Sequence, residues 1–463
     1  MTNFMNREPT NNRLIFEQMP IPEALATLAI PTIIGQLIVL IYSLADTFFI
    51  GRTGNPYMVA AASLILPVFN ICVPISNLFS TGGGTLISRL LGVGRDREAK
   101  SVSAFSFYAA ALSGLLYAGI FLIFMDRLLT GLGASPETLP YARQYAFCVI
   151  VIGAVPTVIQ MTMAGLLRSV GCARQAGFGV SMGGILNIAL DPLFMFVLLP
   201  KGMETMGAGL ATMLSNVACC IYFGLVFRKL RGTTVLTLDP RIGLPARGNV
   251  AQVFTVGVPA SLATLLFDID YMVINKPMTG YGDIPLAAVG IVLKAERLPL
   301  NIGIGLCQGM IPIAAYNYSN GNFSRMKEAL RTTRKAGLIT GIVSLVLYEC
   351  FAPQIMGLFI GNEETIRIGT EFLRIRSVAT TFMFLCFHLV FFFQAIGNGR
   401  ISLLLAVIRW AVFNIPMLFI LNALIGMHGL VLTQVLADIC TVIVSYIIYH
   451  RTMKTLGPAV TGF

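Results

Sequence analysis

The sequence predicts an all-α polytopic membrane protein with twelve transmembrane helices in two parallel six-helix repeats. Of its 463 residues, 56% are hydrophobic and only 11% are charged, and the mean hydropathy is +0.80. Soluble domains carry about 25% charged residues. Apolar stretches of roughly 20 residues, the length that crosses a bilayer core, recur along the whole chain. The two halves of the chain also resemble each other, which predicts the repeats.

The apolar stretches are separated by short polar or glycine-containing turns. Residues 1–20 are polar and lack the apolar core of a signal peptide, so we expect membrane insertion to begin at the first span. The twelve expected spans start near residues 22, 57, 100, 139, 174, 206, 249, 285, 335, 370, 400 and 427.

The net charge of +11 is distributed unevenly between the loops. Basic residues concentrate in alternate connections, near residues 89–100, 168–174, 228–247, 325–335, 400 and 451–454. Loops rich in Lys and Arg stay in the cytoplasm. The pattern therefore predicts a multi-pass protein of the inner (cytoplasmic) membrane with both termini cytoplasmic. We interpret the basic residues as topology signals that contact membrane lipid, and we expect no nucleic-acid partner.

The repeat is visible in matching motifs. LAIPTIIGQ near the start is echoed by VGVPASLAT, and Pro31 matches Pro259 at a spacing of 228 residues. An even number of spans in each unit keeps both units in the same orientation, so the repeats are parallel. The predicted organisation is an N-terminal segment (1–20), an N-terminal lobe (21–228), a cytoplasmic linker (229–248), a C-terminal lobe (249–450) and a cytoplasmic tail (451–463).

Enzymatic and nucleotide-driven functions lack their motifs. The chain has no G-x-x-x-x-G-K-[ST] or H-E-x-x-H sequence, and most of its nine cysteines lie inside apolar runs. His388 lies in an aromatic stretch, where a hydrogen-bonded packing role is the simpler interpretation. We therefore expect no enzyme activity and no cofactor. A secondary carrier driven by Na⁺ or H⁺ needs only a few buried oxygen atoms, and it remains as the leading hypothesis.

Two aspartates lie inside apolar spans of the first half. Asp46 is in PTIIGQLIVLIYSLADTFFIG, and Asp191 is in MGGILNIALDPLFMFVLL. A carboxylate at the bilayer centre costs roughly 2.5–3.5 kcal/mol on insertion scales, so each must have a partner. The partner is either a cation, a proton or water at an ion site, or the headgroup region if the residue sits at a helix end.

Other oxygen-bearing side chains accompany these acids. Asn187 and Asp191 are four residues apart and share one face of a helix, and Thr212 lies among small residues in a later span. Carboxylate, amide and hydroxyl oxygens suit a hard cation such as Na⁺. Two neighbouring carboxylates could equally share a proton. Pro31 precedes Asp46 in the same span and can kink it.

Charged residues also occur in spans of the second half. Asp268 and Asp270 are two apart, so they point about 200° from each other on a helix. Asp268, Asp270 and Glu296 are candidate ligands for a cationic substrate. The alternative is a structural ion pair between Lys294 and one of the two aspartates.

The stretches IPTIIGQLIVLIYSLADTFFIGRTGNPYMVAAASLILP, GGGTLISRLLGVGRDREAK and NIALDPLFMF resemble the multidrug and toxic compound extrusion (MATE) transporters, in the bacterial branch of the DinF-like and MepA-like proteins. The likeness extends from about residue 15 to 452. It implies V-shaped lobes that alternate between inward-open and outward-open states. It also implies a cation site formed by Asp46, Asn187, Asp191 and Thr212, with Pro31 as the bending point.

The expected function is therefore cation-coupled antiport that exports amphipathic, often cationic, small molecules by a monomeric protein. Two alternatives stay open. A lipid-linked sugar flippase of the same superfamily would show basic residues in its central cavity. A non-transporting membrane scaffold or receptor would leave Asp46 and Asp191 without a purpose.

Overall fold

The structure is a computed structural model that describes residues 13–456, with the side chains of residues 267–272 and 455–456 outside the described set. Within these bounds it is all-helical apart from an isolated bridge between Arg231 and Thr234. Eleven helices are long and apolar enough to cross a membrane, and a pair bent by 47° makes a twelfth span. The predicted fold class is thus confirmed.

The spans are numbered α1 to α12 in chain order. Their bounds are α1 Ile21–Gly51, α2 Pro56–Gly92, α3 Asp96–Gly131, α4 Leu139–Ile152 plus Ala154–Ser169, α5 Ala173–Leu198, α6 Glu204–Lys229, α7 Arg247–Val273, α8 Asp283–Ser319, α9 Phe323–Gly357, α10 Glu363–Ala395, α11 Gly399–Ile425 and α12 Met427–Leu456. Two short helical turns, Asn275–Met278 and Thr279–Tyr281, connect α7 to α8.

Most spans begin close to the predicted positions. Helices α9 and α10 begin earlier than expected, at Phe323 and Glu363, because Asn322 and Asn362 cap them by accepting backbone N–H bonds. These first turns carry charged residues, and an apolar pattern alone does not detect them. Helix α12 likewise continues through Leu456, past the predicted lobe boundary at residue 450.

Packing within each half follows the same scheme. In the first half α1 packs on α5, α2 on α3 and α4, and α6 on α4 and α5. In the second half α7 packs on α11, α8 on α9 and α10, and α12 on α10 and α11. Each contact therefore recurs six helices later, as a parallel duplication requires. We call α1–α6 the N-lobe and α7–α12 the C-lobe.

One face of the bundle, here called the terminal face, carries the N-terminal segment, the inter-lobe linker and the end of α12. The Arg13 guanidinium donates to the Asp96 carboxylate at 2.5 and 2.6 Å, and Asn249 Nδ2 donates to Glu98 Oε2 at 2.7 Å. Odd-numbered helices run from the terminal face to the opposite face, and even-numbered helices return.

Buried apolar residues divide into three clusters that reveal how the lobes meet. One cluster contains residues of both lobes and lies in the terminal half, with members such as Leu86, Leu166, Met310 and Phe393. Two further clusters lie in the opposite half and each belongs to a single lobe. The N-lobe cluster includes Ile50, Met58, Phe121 and Met195, and the C-lobe cluster includes Ile274, Val289, Tyr348 and Leu418. The lobes therefore share a core at the terminal face and separate towards the opposite face.

Specific contacts close the terminal half of this cleft. Asn77 Nδ2 of α2 donates to Thr264 Oγ1 of α7 at 3.0 Å, and Gln36 Nε2 of α1 lies 3.5 Å from Gln308 Oε1 of α8. Gly257 of α7 meets α2 so closely that a Cβ there would collide with a backbone carbonyl. Small residues allow such close helix packing inside a membrane.

Candidate functional site

Three of the predicted N-lobe residues form one buried polar group. Asn187 Nδ2 lies 3.4 Å from Asp191 Oδ1 on the same face of α5 and 3.3 Å from Thr212 Oγ1 on α6. The exposed fraction is 2% for Asn187, 0% for Asp191 and 7% for Thr212. The i, i+4 spacing brings the first two together, and the packing of α6 on α5 adds the third.

Asp46 lies beside this group on α1 and is held by a different partner. Tyr145 of α4 donates its hydroxyl hydrogen to Asp46 Oδ2 at 3.2 Å. No described hydrogen bond joins Asp46 to Asp191. Tyr145 carries no sequence signal of its own, so its role depends on how α4 packs.

The site leaves buried oxygen atoms without a hydrogen-bond partner. These are Oδ1 of Asp46, Oδ1 of Asn187 and Oδ2 of Asp191. Buried polar atoms are nearly always satisfied, so such orphans call for a cation, a proton or water. Carboxylate and amide oxygens fit a hard cation, and they fit a shared proton equally well. Among the described residues, no set of three His, Cys, Asp or Glu side chains forms a transition-metal site.

A small cavity of about 30 Å³ adjoins the polar group inside the N-lobe. Its wall includes Asn187 and Thr212, together with polar side chains that the sequence did not single out: Tyr42, Gln160, Ser215 and Asn216. Helix α5 changes to a π-helical turn at Leu193–Leu198, directly after Pro192. Such irregular turns are frequent at functional sites.

Pro31 lies in the terminal half of a continuous α1, ten residues after the helix begins. Its carbonyl and ring abut Gly177 of α5 so closely that any Cβ on that glycine would collide with them. In the C-lobe, Gly399 of α11 makes the equivalent approach to Thr255 and Pro259 of α7. The duplicated prolines thus lie at duplicated helix contacts. The bending role of Pro31 stays a prediction.

The candidate residues of the C-lobe are arranged differently. Glu296 is 3% exposed and accepts two hydrogen bonds from the Arg376 guanidinium, at 2.7 and 2.8 Å. Each of its carboxylate oxygens accepts one of these bonds, and the substrate role of Glu296 stays a prediction. The side chains of Asp268 and Asp270 lie outside the described residues, and so does their predicted pairing with Lys294.

A second buried ion pair was not predicted. Arg409 of α11 donates to the Asp438 carboxylate of α12 at 2.6 and 3.1 Å, and Gln434 Nε2 donates to the same group at 2.9 Å. The guanidinium also lies over the rings of Phe387 and Trp410, at 4.8 and 4.6 Å. Among the described side chains, both buried acids of the C-lobe therefore pair with arginine, whereas Asp46 and Asp191 of the N-lobe have no arginine partner.

These features define an internally duplicated, multi-pass membrane protein with an oxygen-rich buried site in one lobe and a cleft between the two. The family model for MatE matches the chain twice, at residues 31–193 and 259–420. The chain therefore belongs to the multidrug and toxic compound extrusion (MATE) family, and it is a membrane transporter of the MepA-like bacterial branch. The two matches begin at Pro31 and Pro259, in agreement with the predicted duplication.

The relatives cover nearly the whole chain. The multidrug export protein MepA of Staphylococcus aureus (strain MSSA476) is 30% identical over 435 residues, which is 94% of this chain and 95% of that protein. A crystal structure of MATE in complex with MaL6 is 25% identical and superposes with a TM-score of 0.90, over 96% of this chain and 99% of that chain. An outward-facing conformation of a multidrug resistance MATE family transporter of the MOP superfamily gives a TM-score of 0.91 at 24% identity, over 98% and 100% of the two chains.

Proposed function

We propose that this protein is a cation-coupled antiporter that exports amphipathic compounds by alternating access. The observation that carries the proposal is the set of buried, unpartnered oxygens on Asp46, Asn187 and Asp191. A transporter of this kind needs a site whose charge is compensated only when an ion is bound. The similarity to a multidrug export protein supports drug-like compounds as substrates.

The arrangement of α1 supports a route for coupling. Asp46 lies ten residues, about 15 Å, beyond Gln36, where α1 meets α8 of the other lobe. The same helix therefore carries a site carboxylate and part of the contact that closes the cleft. Loss of the bound cation exposes two like charges to each other, and a bend of α1 at Pro31 would relieve that repulsion. Such a bend would also alter the inter-lobe contact.

The same proposal assigns the orientation of the protein in the membrane. The basic loops lie at the terminal face, and the positive-inside rule places this face in the cytoplasm. The cleft, which opens towards the opposite face, then opens to the outside. Access from the outside suits the release of an exported compound and the entry of the driving cation.

Orientation can be tested by cysteine labelling in intact cells, starting from a cysteine-free chain. A cysteine at Thr237 in the linker should resist a membrane-impermeant maleimide, whereas a cysteine at Glu204 should react. Labelling of position 237 with protection of position 204 would reverse the proposed orientation.

Coupling can be tested in proteoliposomes that carry a fluorescent amphipathic cation, with Na⁺ and H⁺ gradients imposed separately. Asp191→Asn keeps the shape of the side chain and removes its charge, so gradient-driven transport should fall at least tenfold. Asp126→Asn is the matched control, because Asp126 is an exposed N-lobe acid that pairs with Arg143. Undiminished transport by both Asp191→Asn and Asp46→Asn would place the coupling site elsewhere.

A further inference from the structure

The face of α8 that meets the N-lobe continues into the open part of the cleft. Gln308 of α8 contacts Gln36 of α1, and Gly305 packs against Ile33 of the same helix. Asn301, Arg297 and Lys294 precede Gln308 by 7, 11 and 14 residues. At about 100° per residue, all three fall within about 40° of the direction of Gln308. They therefore face the N-lobe, on the side of the lobe contact that is nearer the opposite face.

The exposure of these side chains agrees with this placement. Lys294 and Arg297 are exposed, whereas their neighbours Ala295 and Glu296 on the other side of the helix are buried. Lys294 lies eleven residues, about 16 Å, from the start of α8 at the opposite face. A charged side chain at that depth would be costly against lipid. The open cleft provides the water that it needs.

The described side chains of α1 that face the cleft are uncharged. Ser43 and Thr47 of α1 follow Gln36 by 7 and 11 residues, lie on the same side of the helix and are exposed. Asp46 is turned about 80° away from them and is bound by Tyr145. Among the described side chains, no acidic group forms an ion pair with Lys294. In the described part of the cleft, Lys294 thus faces a neutral polar wall.

We propose that Lys294 is a specificity-determining residue that binds an acidic group of the substrate, and that the transported compounds include amphipathic molecules with a carboxylate. Asn301 lies on the same face and extends a polar surface for that group. A zwitterionic amphipath fits best, because the carboxylate meets Lys294 while the described α1 side of the cleft, with Ser43 and Thr47, presents no like charge to the cationic group. This inference names a substrate class for the transport function proposed above and rests on it.

The test uses two rhodamine dyes that differ only in one group, a free acid and its methyl ester. Binding to the purified, full-length protein is measured by fluorescence polarisation, which requires no transport and no ion gradient. Wild type should bind the free acid at least tenfold more tightly than Lys294→Met does, because a charge-assisted hydrogen bond is lost. Affinity for the methyl ester should change by less than twofold. Lys294→Arg should retain the preference for the acid.

A matched control is Lys276→Met, since Lys276 is an exposed lysine in the short turn between α7 and α8. This variant should bind both dyes as wild type does. Equal losses for acid and ester in Lys294→Met, or no loss for either, would overturn the proposal. Failure of gradient-driven transport with a preserved acid preference would instead reject the coupled-antiport function and leave the binding role of Lys294 standing.

A structural ion pair between Lys294 and Asp268, as predicted from the sequence, would give a different experimental result from ligand binding by Lys294. If that ion pair is structural, Lys294→Met lowers the melting temperature, and the double variant with Asp268→Asn restores both stability and acid binding. Restoration of acid binding without Lys294 would show that the lysine does not contact the ligand, and it would overturn the proposal. Stable Lys294→Met protein with a selective loss of acid binding supports it.

Discussion

The N-terminal segment, residues 13–20, offers a sharp test of how the cleft is closed at the terminal face. It leads directly into α1 of the N-lobe, yet Phe16 is buried, with 1% exposure, against the C-lobe. The Phe16 ring stacks on Tyr316 of α8 with centroids 5.2 Å apart. The Phe16 carbonyl accepts hydrogen bonds from Arg325 Nε at 2.6 Å and Asn317 Nδ2 at 3.1 Å. The segment therefore joins one lobe to the other.

Opening of the terminal face separates α1 from α8, so these contacts must break. Truncation of a buried Phe to Ala costs roughly 3–5 kcal/mol in protein cores. If that stabilisation exists only in the closed arrangement, Phe16→Ala lowers the ratio of closed to open molecules by a factor on the order of 100 or more, at 1.4 kcal/mol per tenfold. Contacts that persist after opening would reduce this factor, so the calculated factor is an upper estimate.

The assay is a distance measurement across the terminal face by spin-label spectroscopy. Labels at Lys100 of the N-lobe and Lys327 of the C-lobe occupy exposed positions and require a cysteine-free background. In Phe16→Ala the distance distribution should gain a longer component. Leu14→Ala is the control, because Leu14 belongs to the same short helix but is 41% exposed. Indistinguishable distributions for wild type and Phe16→Ala would refute the argument.

Two further predictions concern helix contacts inside each lobe. Glu296→Gln should lower the free energy of unfolding by about 3–5 kcal/mol because it removes the carboxylate that compensates the buried Arg376 charge, and Glu296→Met with Arg376→Met should recover most of the loss in a thermal melt. A wild-type melting temperature for the single variant would contradict this. Gly177→Ala should cost about 1–3 kcal/mol because its Cβ meets the Pro31 carbonyl, while Gly224→Ala, with open space around it, should be neutral. Equal stability of both alanine variants would show that α1 and α5 can move apart enough to accommodate the added methyl group without loss of stability.

The sequence alone determined the twelve spans and their duplication. A lipid bilayer forces each crossing segment to satisfy its own backbone hydrogen bonds, so a sufficiently long apolar stretch implies a helix. The repeated motifs at Pro31 and Pro259 then indicated two units, and the even number of spans in each gave them the same orientation. The family model matches both units. The polar helix starts of α9 and α10 and the charged end of α12 escaped the apolar pattern.

The N-lobe site could be predicted in part for a related reason. The spacing of Asn187 and Asp191 indicates that they share one face of α5. The free-energy cost of a buried acid in the membrane marks such a residue as a candidate by itself. The spacing does not indicate which neighbouring helix supplies the other polar side chains of the site. Tyr145, which donates to Asp46 across 99 residues of sequence, became visible only when α4 was placed.

The C-lobe shows what only the tertiary structure decided. Glu296 and Arg376 are 80 residues apart, and no local pattern indicates that α8 and α10 bring them within 2.7 Å. The same holds for the closed end of the cleft, since the proposed alternating access requires one sequence to pack with either end open. The periodicity of each helix is a local property fixed by its own residues, whereas the choice of partner helix depends on the free energy of packing between distant segments.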